Sequence, residues 1–197
     1  MKKNRIAYMA KIGVLSALAA IIMLLEFPLP FAPPFYKLDL SESVVLMAGF
    51  AMGPMAAVLT EFFKILLNLI FNGTVTAFVG EIANFFIGIS FVLPAALIYK
   101  KHKTFGFALL GMATGAVSLV IVGALLNYYV MIPAYAKFMI PMEAIVNMGN
   151  AVNPNINNLW TLILFATVPF NLLKGVVCSV LATLVYKRVS PILHKEF

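Results

Sequence analysis

Between Leu159 and Tyr186 the chain carries a single charged residue, Lys174, in the stretch Val168-Pro-Phe-Asn-Leu-Leu-Lys-Gly-Val-Val-Cys178. An apolar run of this length is what a membrane span needs. An ammonium at that depth is costly, and such charges face a bundle interior or a cavity and carry function more often than not. Asn171 precedes Lys174 by three residues, so on a helix the carboxamide and the ammonium share one face about one turn apart. The chain must therefore fold so that this polar ledge has something to meet. The competing reading is structural: Lys174 snorkels to the interface or neutralises an internal glutamate, and Asn171 joins helices. About twelve residues separate Lys174 from Lys187, roughly 18 Å of helix, too far for the stem to reach that basic end. The functional reading is favoured over the structural one.

Composition places the rest of the chain in the same environment. With 63% hydrophobic and 11% charged residues and a mean hydropathy of +1.02, it is too apolar for a soluble domain and reads as an integral membrane protein. The net charge of +7 does not imply nucleic acid, because the basic residues gather at the ends of apolar runs, as membrane topology requires. Cys178 is the only cysteine, which excludes an intrachain disulfide. No Cys, His and carboxylate cluster has metal-ligand spacing, so no metal site is expected. Residues 1–20 resemble a secretory signal, but cleavage after Leu18-Ala19-Ala20 would cut an apolar run continuing to Leu25, and the segment is read as the first span.

The spacing predicts an all-α integral membrane protein, a six-transmembrane-helix bundle forming a single membrane domain over residues 1–197. The spans are expected at about Ile6 to Leu25, Val44 to Met52, Met55 to Phe71, Ala77 to Tyr99, Phe107 to Ile132 and Leu159 to Tyr186. The second is short, separated from the third by Gly53-Pro54, and the fifth is expected to end at Pro133. The run Phe27-Pro-Leu-Pro-Phe-Ala-Pro-Pro-Phe-Tyr36 cannot be helical through its prolines and reads as a stiff extended loop. On this path Lys2, Lys3, Arg5, Lys11, Lys100, Lys101, Lys103, Lys187, Arg188 and Lys195 fall on one side, and only Lys37 and Lys137 on the other. By the positive-inside rule both termini are cytoplasmic.

Other polar residues within the spans are candidates for pairing or for a site. Glu61 and Lys64, three apart, are expected to neutralise each other. Glu81 and Asn84 sit near the outer end of the fourth span and Asn127 near the outer end of the fifth, where each serves either a pocket or interhelical hydrogen bonding. Amides, an ammonium and aromatic faces suit a flat heteroaromatic ligand with amide-like edges. A self-contained secondary transporter using Glu61, Lys64 or Glu81 as a proton relay is the alternative from another class. A membrane enzyme is a weaker third, since no hydrolytic set, P-loop or dinucleotide loop is present. On the first span Gly13 with Ala17 and Ser16 with Ala20 form small-xxx-small pairs that permit close approach of another helix.

Phe27-Pro-Leu-Pro, Pro34-Phe-Tyr-Lys-Leu-Asp-Leu-Ser41, Gly49-Phe-Ala-Met-Gly-Pro54, Gly80-Glu-Ile-Ala-Asn-Phe85, Asn127-Tyr-Tyr and Asn171-Leu-Leu-Lys174 together resemble the substrate-binding S components of energy-coupling factor (ECF) vitamin transporters, within them the riboflavin-specific group. The resemblance spans nearly the whole chain. It implies a non-catalytic subunit in the bacterial plasma membrane that binds riboflavin near the outer face beneath the first external loop. Asn127, Asn171 and Lys174 match the polar flavin contacts, with Leu38, Asp39, Glu81 and Asn84 as further ligand-binding candidates. The implied partners are a transmembrane coupling subunit and two ATPase subunits, with Gly13, Ser16, Ala17 and Ala20 meeting the coupling subunit. The family more often has alanines at Gly13 and Ser16.

Overall fold

The computed structural model of the chain describes the backbone of residues 2–193 and the side chains of residues 5–186. The side chains of Lys2, Lys3, Lys187, Arg188, His194 and Lys195 lie outside the described residues. The element order is α1 (Lys2–Leu24), β1 (Phe27–Pro28), β2 (Lys37–Leu38), α2 (Glu42–Met52), α3 (Pro54–Asn72), α4 (Val79–Lys101), α5 (Phe105–Leu126), a π turn (Asn127–Met131), α6 (Ile132–Phe138), α7 (Met142–Asn150), α8 (Leu159–Leu162), a second π turn (Ile163–Thr167) and α9 (Val168–Leu193). Among the described residues, five helical rods are long and apolar enough to cross a membrane: Arg5–Leu24, Pro54–Asn72, Val79–Lys101, Phe105–Phe138 and Leu159–Tyr186. Their outward faces carry bare apolar side chains such as Val14, Ile70, Val117 and Leu184, as lipid-facing surfaces do.

The short second helix is a core element. Its 11 residues span about 16 Å, roughly half the hydrocarbon thickness of about 30 Å, and every residue from Glu42 to Phe50 is buried. A helix that is apolar all round is stable only when neighbours cover all of it. α2 meets that condition by packing against α1, α3, α4 and α9. Gly53, at φ +97, then makes the break that lets Pro54 open α3.

Pro133, where the sequence expects a helix end, and Pro169, within the expected sixth span, each lie inside a continuous rod just after a π turn. Pro133 stands six residues after Asn127 and Pro169 six after Ile163, the first residues of the two π turns. A proline ring clashes with the carbonyl four residues back and cannot donate to it. Widening the preceding turn to the π pattern relieves that clash. The expectation that the fifth span stops at Pro133 is therefore corrected: the rod continues to Phe138.

The proline-rich segment is non-helical, as its sequence requires, and it is pinned at both ends. Phe27 pairs with Leu38 and Pro28 with Lys37 in a two-residue antiparallel ladder, and Lys37 Nζ donates to Glu26 Oε1 at 2.9 Å. Between these ends Ala32 and Tyr36 turn inward to join a buried cluster with Leu38, Ile132, Ile145, Ile156, Leu162, Ile163, Ala166 and Phe170. The loop therefore forms the roof of one end of the bundle.

Candidate functional site

Beneath that roof lies a cavity of about 440 Å³, within the range of about 300–1,000 Å³ usual for pockets that enclose a small molecule. Asn127 reaches it from the first π turn, Asn171 and Lys174 from α9, and Glu81 and Asn84 from α4. Apolar and aromatic surface comes from Phe35, Ile87, Met131, Ile145 and Phe170. Tyr36 stacks on Phe170 with centroids 5.1 Å apart and planes at 24°.

Leu38 and Asp39 do not line the cavity. Leu38 is held in the roof cluster, because its strand turns alternate residues to opposite faces. Asp39 lies behind the ledge, where Lys174 Nζ meets its Oδ2 at 3.4 Å and Ser41 donates to it from N at 2.7 Å and from Oγ at 2.9 Å. Burial alone would push the Asp39 carboxyl up. The ammoniums of Lys174 and Lys64, with the Ser41 donors, outweigh it and hold the carboxyl below the usual range. Asp39 therefore acts as an anion that anchors Lys174.

Several residues of the site went unread in the sequence. Asn68 and Asn72 of α3 line the cavity; they follow Glu61 and Lys64 at helical spacing on one face, and that periodicity was the available signal. Tyr36 joins the two π turns. Its hydroxyl donates to Asn127 Oδ1 at 3.1 Å and hydrogen-bonds Thr167 Oγ1 at 2.6 Å. Burial pushes that hydroxyl's pKa well above the ordinary tyrosine value, so it remains a neutral donor. At the other side Thr76 Oγ1 donates to Glu81 Oε2 at 2.8 Å and accepts from Gly80 N at 3.0 Å. The turn before α4 takes left-handed conformations at Ala77 and Phe78, φ 49 and 68, which cost about 1–3 kcal/mol each. That turn sets where Glu81 enters the cavity.

Lys174 also belongs to a buried chain of charges. Lys64 Nζ lies 2.8 Å from Glu61 Oε2 and 3.0 Å from Glu42 Oε1, while Lys174 is 3.7 Å from Glu42 Oε1. The expected pairing of Glu61 with Lys64 is present, and Glu42 extends it. All five side chains of this chain, Asp39 included, are buried. Glu61 and Lys64 do not line the cavity. Lys174 does, and its ion-pair contacts are the longer ones. With three N–H donors, it can hold Asp39 and still offer a hydrogen bond to a ligand.

The four small residues of α1 divide. Ser16 and Ala20 are buried inside the bundle, whereas Gly13 and Ala17 are exposed. A three-residue offset turns the second pair about 60° around the helix, toward α2 and α3. Of the two expected small-residue pairs, Gly13 with Ala17 is open to an outside helix, and Ser16 with Ala20 is taken up by the bundle's own packing.

The cavity and its bundle can be set beside known proteins. A family model described as "ECF transporter, substrate-specific component" matches residues 7–186. The chain belongs to that family. This S component is 35% identical over 184 residues to the riboflavin transporter RibU of Staphylococcus aureus, an alignment covering 93% of this chain and 90% of that protein. It is 29% identical over 188 residues to the riboflavin transporter FmnP of Bacillus subtilis, covering 94% and 93%. Its fold superposes on a solved structure, reported as "Structure and mechanism of the S component of a bacterial ECF transporter", with a TM-score of 0.74 and 31% identity over 97% of this chain and 99% of that one.

Proposed function

We propose that the chain is the high-affinity riboflavin-binding membrane subunit of an ATP-driven ECF vitamin uptake transporter. The observation that carries this reading is the full-length likeness to proteins named as riboflavin transporters, and the cavity chemistry agrees with it. Asn171 Nδ2 donates to Thr167 O at 3.1 Å, which leaves the Asn171 Oδ1 acceptor beside the Lys174 donor. The imide edge of a flavin presents an N–H between two carbonyls, and that acceptor and donor complement it. Asn127, Glu81, Asn84 and Asn68 offer hydrogen bonds to the hydroxylated chain, and Tyr36 with Phe170 gives an apolar wall for the ring system. The protein itself carries out no catalysis in this reading. Transport draws on a transmembrane coupling subunit and two ATPase subunits.

The proposed path in the bacterial plasma membrane is a six-helix one, with α2 as the short second crossing and both termini cytoplasmic. A proton-relay transporter is disfavoured. Of its three candidates, Glu61 and Lys64 are held in mutual ion pairs and do not line the cavity, and Glu81, which does, is isolated from them, so the three form no continuous relay.

Protein purified in detergent is expected to bind riboflavin one to one, and material from cells to be yellow. Absorbance near the flavin bands and titration of flavin-free protein check this. A colourless preparation that binds no added riboflavin removes the flavin assignment. Coupling is tested separately on α1. A Cβ at Gly13 would meet nothing within 4 Å and Ala17 is exposed, so Gly13→Leu and Ala17→Trp are expected to leave the bundle intact but block close helix approach from outside. Both variants are expected to bind riboflavin as wild type does, and to lose uptake in cells supplying the coupling subunit and ATPases. Wild-type uptake would exclude this face as the docking surface.

A further inference from the structure

Gly123, in the last turn of α5, offers a ligand no side chain, yet it sits against both amides of the site. A Cβ built on it would lie 2.6 Å from Asn171 Nδ2 and 3.1 Å from Asn171 Cγ, well inside van der Waals contact. Its carbonyl accepts from Asn127 Nδ2 at 2.8 Å. These contacts close a circuit. Asn171 Nδ2 donates to Thr167 O, Thr167 Oγ1 meets the Tyr36 hydroxyl, that hydroxyl donates to Asn127 Oδ1, and Asn127 Nδ2 returns to Gly123, whose bare Cα lies against the Asn171 carboxamide.

We propose that Gly123 is a positioning residue for the binding site: its missing side chain is the surface on which the Asn171 carboxamide lies, and its carbonyl fixes the Asn127 amide. The circuit commits Asn171 Nδ2 to Thr167 and leaves Oδ1 as the acceptor available to a ligand. Any Cβ at position 123 drives the carboxamide off this surface, because the first atom it meets is the tethered nitrogen. The carboxamide must then rotate and give up either its Thr167 contact or its direction toward the cavity. Thr167 and Tyr36 are drawn in with it, so one methyl group at the helix crossing disturbs the ledge from behind.

The identity of the ligand rests on the riboflavin reading above; the positioning of Asn171 does not. The test is a double-mutant cycle on the full chain in detergent, using wild type, Gly123→Ala, Asn171→Ala and the double variant. Riboflavin affinity, the absorption spectrum of bound flavin and the thermal midpoint of ligand-free protein are measured on each. Gly123→Ala is expected to weaken riboflavin binding about tenfold or more when Asn171 is present, and to shift the bound-flavin spectrum toward that of Asn171→Ala. On the Asn171→Ala background, where the colliding atoms are gone, the same change should have little further effect. Equal losses on both backgrounds would overturn the proposal and make Gly123 a helix-packing residue. Should Gly123→Ala fail to fold, a double variant that folds and binds as Asn171→Ala does supports the proposal, and one that also fails to fold overturns it. If wild type itself binds no riboflavin, the riboflavin reading falls alone. The midpoints of the four proteins then decide the role of Gly123, non-additive losses supporting it and additive losses overturning it.

Discussion

Lys64→Met is expected to be the most damaging single substitution for the stability of the bundle. Lys64 is 1% exposed and holds Glu61 at 2.8 Å and Glu42 at 3.0 Å. Removing the ammonium leaves Glu61 buried without its ion pair and leaves Glu42 to the longer contact with Lys174 at 3.7 Å. Stripping one partner from a buried ion pair costs about 3–5 kcal/mol, a large part of the roughly 5–15 kcal/mol that holds a domain folded. The shorter of the two ion pairs of Glu42 is lost as well. A Cβ at Gly88 would lie 2.3 Å from Glu61 Oε1 and 3.0 Å from Glu42 Oε1, so α4 closes tightly over both and leaves them little room to separate. Lys64→Met should fail to accumulate in membranes or show a sharply lowered thermal midpoint in detergent. Adding Glu61→Gln should restore much of the loss, because the carboxylate left without a cation is then neutral. A midpoint equal to wild type for Lys64→Met would mean that the ion pairs contribute nothing to folding.

Which parts of this design could be read from sequence follows from how each residue stands out against its neighbours. Lys174, Glu61 and Lys64 interrupt apolar runs, and a charge there is conspicuous because hydrocarbon is so poor a solvent for it. Glu42 was not conspicuous. It follows Lys37-Leu-Asp-Leu-Ser41 at the end of a loop, where charges are ordinary, and only the apolar character of Val44 to Met52 on all sides hints that the helix beginning with it is buried. Local rules gave the wrong end for the fifth span at Pro133, because the π turn that accommodates the proline is a tertiary solution with no sequence marker beyond the proline itself. Asn127 and Asn171 were readable as intramembrane amides. The Tyr36 and Thr167 hydroxyls that join them across 91 and 131 residues of chain were not, since nothing local distinguishes a tyrosine that turns inward from one in an aromatic belt. The small residues of α1 were legible as a pattern, but which of them face outward, Gly13 and Ala17 rather than Ser16 and Ala20, depends on the side that α2 and α3 occupy.

Lys174→Met is expected to abolish tight riboflavin binding, and the structure divides its effect into two separable parts. The first is the ligand's loss of a charged donor. A hydrogen bond to a charged group is worth about 1.5–3 kcal/mol, or roughly 10- to 150-fold in affinity. The second arises because Lys174 holds Asp39 at 3.4 Å and approaches Glu42 at 3.7 Å. Without the ammonium Asp39 becomes a buried anion held only by Ser41 and the more distant Lys64. The loop that Asp39 anchors leads through Leu38 and Tyr36 into the roof of the cavity, so the single variant is expected to lose stability as well as affinity. The double variant Lys174→Met with Asp39→Asn separates these. Asparagine keeps the Ser41 N–H bond through its carbonyl oxygen, its amide nitrogen stands where Oδ2 was and donates to Ser41 Oγ, and it carries no charge to strand. Thermal midpoint should return toward wild type in the double variant while riboflavin affinity stays low, because the lost donor is not replaced. If affinity recovered together with stability, Lys174 would be a structural cation that shapes the site through Asp39 without touching the ligand, and the direct contact with the flavin would pass to Asn171.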